Sequence, residues 1–365
     1  MAPTTAVASS EQPLNGWLKD TTVNFYLDTY FDWNTNRPPG GLESLRVYNA
    51  SANNFSVNQT GLMVERAPDV AAGRRWGYRL DLMYGQASEL LHSTELRPNI
   101  YRDIFQAYGT YVAPVGKGLT VDVGKWASTI GAEGTYAKDQ INYSRSFFFT
   151  FLPFYHNGVR ASYAVNDKVS LAYWLVNGAN QAEDFNGFKS QLGQVTVKPH
   201  KTLTWTVQYY NGREQMQAGP GLGAPRGRFH IVDTFAFWTP TPKLTLGTEL
   251  VYVVNRVAPS SPPQQNSGGI GYLRYQVTPK VYFGQRYAHM DDHAGAFSGT
   301  AQKLNDLTST VGFRLMDGFE TRVEYRRDFS NVAYFSRRGA DPLSKSQNTF
   351  TLGLLWWFGG KAGTW

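Results

Sequence analysis

An alternation constrains this chain more than any other feature. From Val23 onward, segments of about ten residues carry apolar and polar side chains in turn, and each segment stops at turn-forming residues. In residues 23–33 one face holds Val23, Phe25, Leu27, Phe31 and Trp33, and the other holds Asn24, Tyr26, Asp28, Tyr30 and Asp32. In residues 319–326, Phe319, Thr321, Val323 and Tyr325 oppose Glu320, Arg322, Glu324 and Arg326. A fully charged face backed by an apolar one needs water on one side of the strand and hydrocarbon on the other. No uncharged apolar run reaches the roughly 18 residues of a spanning helix. The densest stretch, residues 147–155, is short and contains Pro153.

The spacing predicts further strands over 55–66, 78–84, 104–112, 119–126, 158–165, 169–176, 189–197, 203–210, 229–238, 244–254, 268–277, 281–290, 307–316 and 347–358. The expected fold is therefore all-β: a transmembrane antiparallel up-and-down barrel of about 16 strands, with 14 or 18 as alternatives. Connection lengths add an independent pattern. Short turns (113–118, 166–168, 198–202, 239–243, 278–280, 317–318) alternate with long Gly-, Pro- and Asn-rich connections (34–54, 85–103, 127–157, 177–188, 211–228, 255–267, 291–306, 327–346). Outer-membrane barrels segregate loop length in this way, with short periplasmic turns and long extracellular loops. Only the 66–77 connection is middling where a short one is expected. The division read here is an N-terminal periplasmic segment, 1–21, and one barrel, 22–365.

Composition agrees. Charged residues make up 17% and aromatics 15%, against about 25% charged in soluble chains. With no cysteine, disulfides, thiolate zinc sites and cysteine nucleophiles are excluded. The net charge is +7, but the basic residues are scattered, which argues against nucleic acid. Residues 1–10 have neither a basic nor an apolar signal region and read as the start of an exported mature chain. No serine-nucleophile motif or phosphate loop occurs. His289 and His293 fall where a strand meets a loop, so their spacing does not imply a metal site.

Projecting the alternation inward gives a polar lumen. Its expected lining is Arg79, Asp81, Arg160, Glu249, Arg274, Arg286, Arg314, Glu320, Arg322, Glu324 and Arg326, joined by Asp28, Asp32 and Asp122. Two arrangements stay open: opposed basic and acidic walls, or neighbours such as Glu320/Arg322 and Glu324/Arg326 that neutralise each other. Aromatics near strand ends (Tyr30, Phe31, Trp33, Tyr84, Tyr111, Trp126, Trp238, Trp356, Trp357, Phe358) are expected to form lipid-interface girdles. The longest connection, 127–157, carries Glu133, Lys138, Asp139 and Arg145. Two arrangements stay open for it: an inward constriction facing Arg160, Arg314 and Arg322, or a strand over 147–155 with the loop as an outer cap.

Several ordered motifs carry a resemblance. They run Tyr30, Asn34, Pro38, Arg46-Val47-Tyr48, Asn54-Phe55-Ser56-Val57-Asn58 and Gly77-Tyr78-Arg79-Leu80-Asp81-Leu82-Met83-Tyr84-Gly85. Then follow Gln106-Ala107-Tyr108, Gly124-Lys125-Trp126, Gly131-Ala132-Glu133, Asn142-Tyr143-Ser144-Arg145-Ser146, Pro153, Tyr155-His156-Asn157-Gly158-Val159-Arg160 and Asn177-Gly178. In this order they resemble the putative beta-barrel porin-2 family of Gram-negative outer-membrane proteins, and the resemblance implies a porin-like barrel in the cell outer membrane whose third long connection, 127–157, folds into the lumen as it does in general porins. Porins usually end on a strand-tip aromatic, whereas here residues 359–365 follow Phe358, which leaves the closing register open.

The expected function is passive diffusion of small hydrophilic solutes or ions through a water-filled lumen, without catalysis or cofactor. The partners are outer-membrane lipids, the solutes and further copies of the chain in a homo-oligomer such as a trimer. Two alternatives remain: a barrel enzyme acting on lipid, which needs an outward Ser/His pair, and a structural or adhesion barrel whose lumen is blocked to water.

Overall fold

A computed structural model describes residues 20–216 and 223–361. The segment 1–19 and the last residues, 362–365, where the final strand was left open, lie outside the described part. Fifteen strands follow in order: β1 (Thr22–Asn34), β2 (Asn54–Arg66), β3 (Trp76–Tyr84), β4 (Ile104–Ala113), β5 (Leu119–Ala127), β6 (Tyr155–Ala164), β7 (Val169–Val176), β8 (Ser190–His200), β9 (Leu203–Gly212), β10 (Phe229–Thr241), β11 (Leu244–Asn255), β12 (Gln264–Thr278), β13 (Val281–Asp292), β14 (Gln302–Met316) and β15 (Phe319–Ser330). A two-residue ribbon, β16 (Phe335–Ser336) with β17 (Leu343–Ser344), sits in the last long loop, and β18 (Ser346–Gly359) ends the described chain.

Every barrel strand pairs antiparallel with its neighbours, and β18 closes on β1 with Phe25 opposite Phe358 and Trp33 opposite Phe350. The result is a closed barrel of sixteen strands. Closure is what lipid demands, because an open edge would strand unpaired N–H and C=O groups in hydrocarbon. The 67–75 connection is held by its own antiparallel bridge, Asp69 with Arg74.

The alternation sorts side chains as expected on most strands. Val323, Leu352, Leu250 and Val159 are exposed on the outer wall, while Arg322, Glu324 and Arg326 are buried inside. Tyr30 and Trp126 do not join a girdle. Both are buried on the inner face, because they fall on the same parity as Asp28 and Asp122. One bulge, at Asn58, turns two consecutive β2 side chains inward: Asn58 donates to Asp28 at 2.7 Å and Gln59 to the Tyr48 hydroxyl at 3.0 Å.

Strands run further than the spacing suggested. β14 starts at Gln302 and β15 continues to Ser330, so Asp306 and Asp328 lie on the wall and not in loops.

An outward charge near the middle of the wall should cost roughly 2–4 kcal/mol. Val323→Arg is therefore expected to lower the yield of folded, heat-modifiable barrel in lipid vesicles. A wild-type yield would contradict the assignment of that face to lipid.

Candidate functional site: the lumen and the loop that crosses it

The 128–154 loop enters the barrel and is tied to opposite walls. On one side the Gly131 amide donates to Asp233 of β10 at 2.9 Å. On the other, Glu324 of β15 accepts the amides of Tyr143 (2.6 Å) and Ser144 (3.0 Å), and Asp28 of β1 accepts the Tyr143 hydroxyl at 2.6 Å. The Tyr136 hydroxyl donates to Asp81 of β3. Residues 147–151 form one helical turn and not a strand.

Guanidinium–carboxylate pairs in the wall anchor this loop. Arg286 lies 2.9 Å from Glu133 and 3.1 Å from Asp306, and donates to the Ser144 carbonyl at 2.6 Å. Arg322 pairs with Glu320 at 2.7 Å and donates to the Asn142 carbonyl at 3.1 Å. Arg326 pairs with Asp328 at 2.6 Å and not with Glu324, whose carboxylate is taken by loop amides. Arg79 binds Asp81 at 2.8 Å, and Arg160 binds Asp122 at 2.6 Å beneath the rings of Tyr108 and Trp126. The neutralising arrangement thus holds: Glu320 and Arg322 pair as the sequence suggested, while Arg326 takes Asp328 in place of Glu324. Charge-assisted bonds of this kind are roughly twice as strong as neutral ones.

The loop charges expected at a constriction have separate fates. Glu133 is consumed by Arg286, and Lys138 pairs with Asp139 at 2.8 Å. Arg145 folds back to the carbonyls of Gly134 (2.8 Å), Thr135 (2.8 Å) and Tyr143 (2.6 Å), over the Tyr48 ring. Burial lowers the Arg145 guanidinium below its ordinary value. None of these charges faces Arg160 or Arg314 as an ion pair among the described residues.

The wall leaves space for the loop. A Cβ on Gly353 of β18 would stand 2.5 Å from the Tyr143 ring, and one on Gly284 of β13 would stand 2.9 Å from Ile141.

Toward the long-loop end the lumen is not water-filled. Inner-face residues Trp174, Leu192, Ile231, Val253, Met290 and Leu304 form a buried apolar cluster with Phe147, Phe148 and Leu152 of the loop. The other half of that end is filled by the 35–53 loop. Arg46 enters to pair with Asp328 at 2.9 Å, and Glu43 accepts from Asn34 at 2.6 Å. Burial pushes the Glu43 carboxyl up to about 8 against the pull of Arg46. A barrel this wide cannot fill itself from the wall; here two loops do so.

Open space remains at the short-turn end. A cavity of about 460 Å³ is lined by Arg274, Arg314, Tyr282, Gln140 and Trp357, among others. A second of about 270 Å³ shares Asp139, Gln140 and Ile141 with it and reaches Glu133 and Tyr272. Glu249 lies deeper, accepting from the Tyr272 hydroxyl at 3.1 Å. Arg274 and Arg314 have no carboxylate within ion-pair distance among the described residues; Arg274 stacks 4.4 Å over Tyr282.

The outward Ser/His pair of a lipid enzyme is not what the geometry offers. Ser128 Oγ lies 3.1 Å from His156 Nε2, but His156 is buried on the inner face and its Nδ1 meets the Gly178 carbonyl at 2.9 Å. His289 is engaged by Asn305 at 2.8 Å, and no metal-binding cluster occurs among the described residues.

With barrel, loop and lumen defined, the decisive comparison is with family models: that of the putative beta-barrel porin-2, OmpL-like family matches residues 20–358. The chain belongs to this family. It is an outer-membrane porin. No curated protein matches. Solved structures similar in fold include an anion-selective porin from Comamonas acidovorans (TM-score 0.62, 11% identity, 93% of this chain and 99% of that one). Others are the outer-membrane channel DcaP of Acinetobacter baumannii (0.59, 11%, 93% and 97%) and OmpT of Vibrio cholerae (0.57, 12%, 93% and 98%).

Arg46, Asp306, Asp328 and Asp233 escaped the sequence reading. The signal for Asp306 and Asp328 was present: each continues its strand's inner-face parity beyond the end assigned to it.

Glu324→Leu should orphan two buried amides, each costing about 1–3 kcal/mol. The 128–154 loop should then become cleavable by external protease; full resistance would refute the anchoring role. The 35–53 loop should respond to pH. Its Glu43 carboxyl is raised from 4.5 to about 8, so its contribution is fully present below 4.5 and lost as pH rises through 8. Proteolysis of that loop should accelerate between pH 6 and 9 in wild type but not in Glu43→Gln, and parallel profiles would contradict this.

Proposed function

We propose that this porin is a gated passive channel for small hydrophilic solutes, closed at its long-loop end in the described conformation and favouring anions. One observation carries the anion preference. Of the seven lumen arginines the alternation points to, Arg79, Arg160, Arg286, Arg322 and Arg326 have carboxylate partners. Arg274 and Arg314 have none among the described residues, and both line the cavity that opens at the short-turn, periplasmic end. The charged lining of that cavity, Lys138, Arg274, Arg314 and Arg322 against Asp139, Asp317 and Glu320, leaves one positive charge in excess, and a positive excess beside a narrow, low-dielectric passage concentrates anions there. The fold shared with an anion-selective porin is in keeping with this. Conduction needs the Phe147–Phe151 turn to leave the apolar cluster, since that cluster excludes water. A trimer is the assembly we favour; the similar OmpT of Vibrio cholerae has a trimer form.

A second reading, a structural barrel with a permanently filled lumen, draws on the burial of the long-loop end. Planar-bilayer recordings separate the two. The channel reading expects discrete openings whose reversal potential in a KCl gradient shows chloride preference. It also expects larger currents after deletion of residues 135–139, and a several-fold shift toward potassium in Arg274→Ala/Arg314→Ala. An unchanged reversal potential would remove the anion preference. Silence in both wild type and the deletion would favour the structural barrel.

A further inference from the structure

A row of arginines stands on the outer rim of the barrel at the long-loop end. Arg213 follows β9, Arg228 precedes β10 and Arg256 follows β11. Phe229 pairs with Gly212 on one side and Asn255 on the other, so these arginines are opposite one another on three adjacent strands. The Arg256 amide donates to the Arg228 carbonyl at 2.9 Å. By alternation the row points outward. Phe229, Gly212 and Val253 are buried on the inner face, while Tyr209, Val232 and Tyr252 are exposed on the outer one. Arg213 and Arg228 each place their guanidinium carbon 4.6 Å from the centroid of one ring, Phe188. Arg226, nearby in sequence, is exposed.

Such a concentration of like charge is costly unless something neutralises it, and the described residues do not supply it. Among the described residues none of the four makes an ion pair. The intervening residues 217–222 contain no Asp or Glu. Glu214, next to Arg213, is turned away and held by the Tyr210 hydroxyl at 2.6 Å and the Ala179 amide at 2.9 Å. Asp184 is engaged by Lys189. Burial, and then the charges of Arg228 and Arg226, lower the Arg213 guanidinium.

We infer that this row binds the phosphate groups of a lipid headgroup in the outer leaflet. Its height supports this. Directly below it the outer wall carries Tyr209, hydrogen-bonded to His230 at 2.9 Å, and then Val207, Val232 and Leu250. That sequence of polar ring and apolar band marks the headgroup boundary. Guanidiniums match phosphate through paired N–H bonds, which an ammonium cannot reproduce. Three guanidiniums in a row, with Arg256 donating one N–H to the Ser261 carbonyl at 2.9 Å, suit a headgroup with more than one phosphate better than a single free ion. Two of them lie against the Phe188 ring, each at 4.6 Å from its centroid.

The test is retention of lipid by the full-length barrel. Wild type and Arg213→Gln/Arg228→Gln/Arg256→Gln are reconstituted in phosphatidylethanolamine nanodiscs containing bis-phosphorylated lipid A, its dephosphorylated form, or inorganic phosphate in the buffer. Bound lipid is then counted by native mass spectrometry. Wild type should retain the phosphorylated lipid at least about tenfold better than the glutamine variant and the dephosphorylated lipid no better. Should the glutamine variant fail to fold, the corresponding triple lysine variant, which keeps the charge but loses the fork, should still retain less than wild type. Equal retention by wild type and variants would overturn the proposal. So would displacement of the lipid by inorganic phosphate, or an effect seen only as a change in oligomer size, which would assign the row to a contact between copies.

Discussion

The structure depends on the guanidinium–carboxylate pairs of the inner wall, above all Arg286 with Asp306 and Glu133. An ion taken out of water costs several kcal/mol, which returns only if partners and hydrogen bonds are complete. Here the pairs are made between neighbouring strands, or along one strand as in Arg322–Glu320 and Arg326–Asp328, and the remaining donors go to loop carbonyls. Charges that would face water in an open lumen instead hold a peptide segment across it. Removing one member of such a pair leaves a buried charge unmatched, so wall and loop stand or fall together.

The two halves of the lumen follow from this. At the long-loop end the loop adds Phe147, Phe148 and Leu152 to inward apolar residues of β7 to β14, and water is excluded. At the short-turn end the loop passes as residues 138–142 and leaves a vestibule whose Arg274 and Arg314 lack carboxylate partners among the described residues. On the proposed function, the insertion sets where the passage closes, and the wall residues it leaves uncovered set the charge the passage presents. The fit is specific, because Gly353 and Gly284 give Tyr143 and Ile141 the room that a side chain would take.

Much of this was legible in the sequence. Alternation and loop-length parity lead to the strand number, the antiparallel order and the closure of residues 347–358 on 23–33. Inward folding of the long loop was one of two arrangements its length and charges allowed, and the resemblance to general porins favoured it. The filled long-loop end was harder to read. Val251, Tyr252, Val253 and Val254 are apolar on both faces of β11, so periodicity cannot tell lumen from lipid there. Asp306 and Asp328 were missed because the polar ends of β14 and β15 resemble loops until their partners Arg286 and Arg326 are seen. Arg46 could not be placed at all, since its partner Asp328 lies 282 residues further along the chain.

The central claim is that the 128–154 loop lies across the lumen against the far wall. The chain contains no cysteine, so a single introduced pair reports without background. Asn142 Nδ2 donates to Thr310 Oγ1 at 2.8 Å, joining loop to wall. In Asn142→Cys/Thr310→Cys, mild oxidation of the folded barrel in lipid should form an intramolecular disulfide, detected as a mobility shift reversed by reductant. Two thiols that stay free and react with an external maleimide would place the loop outside the barrel and contradict the account.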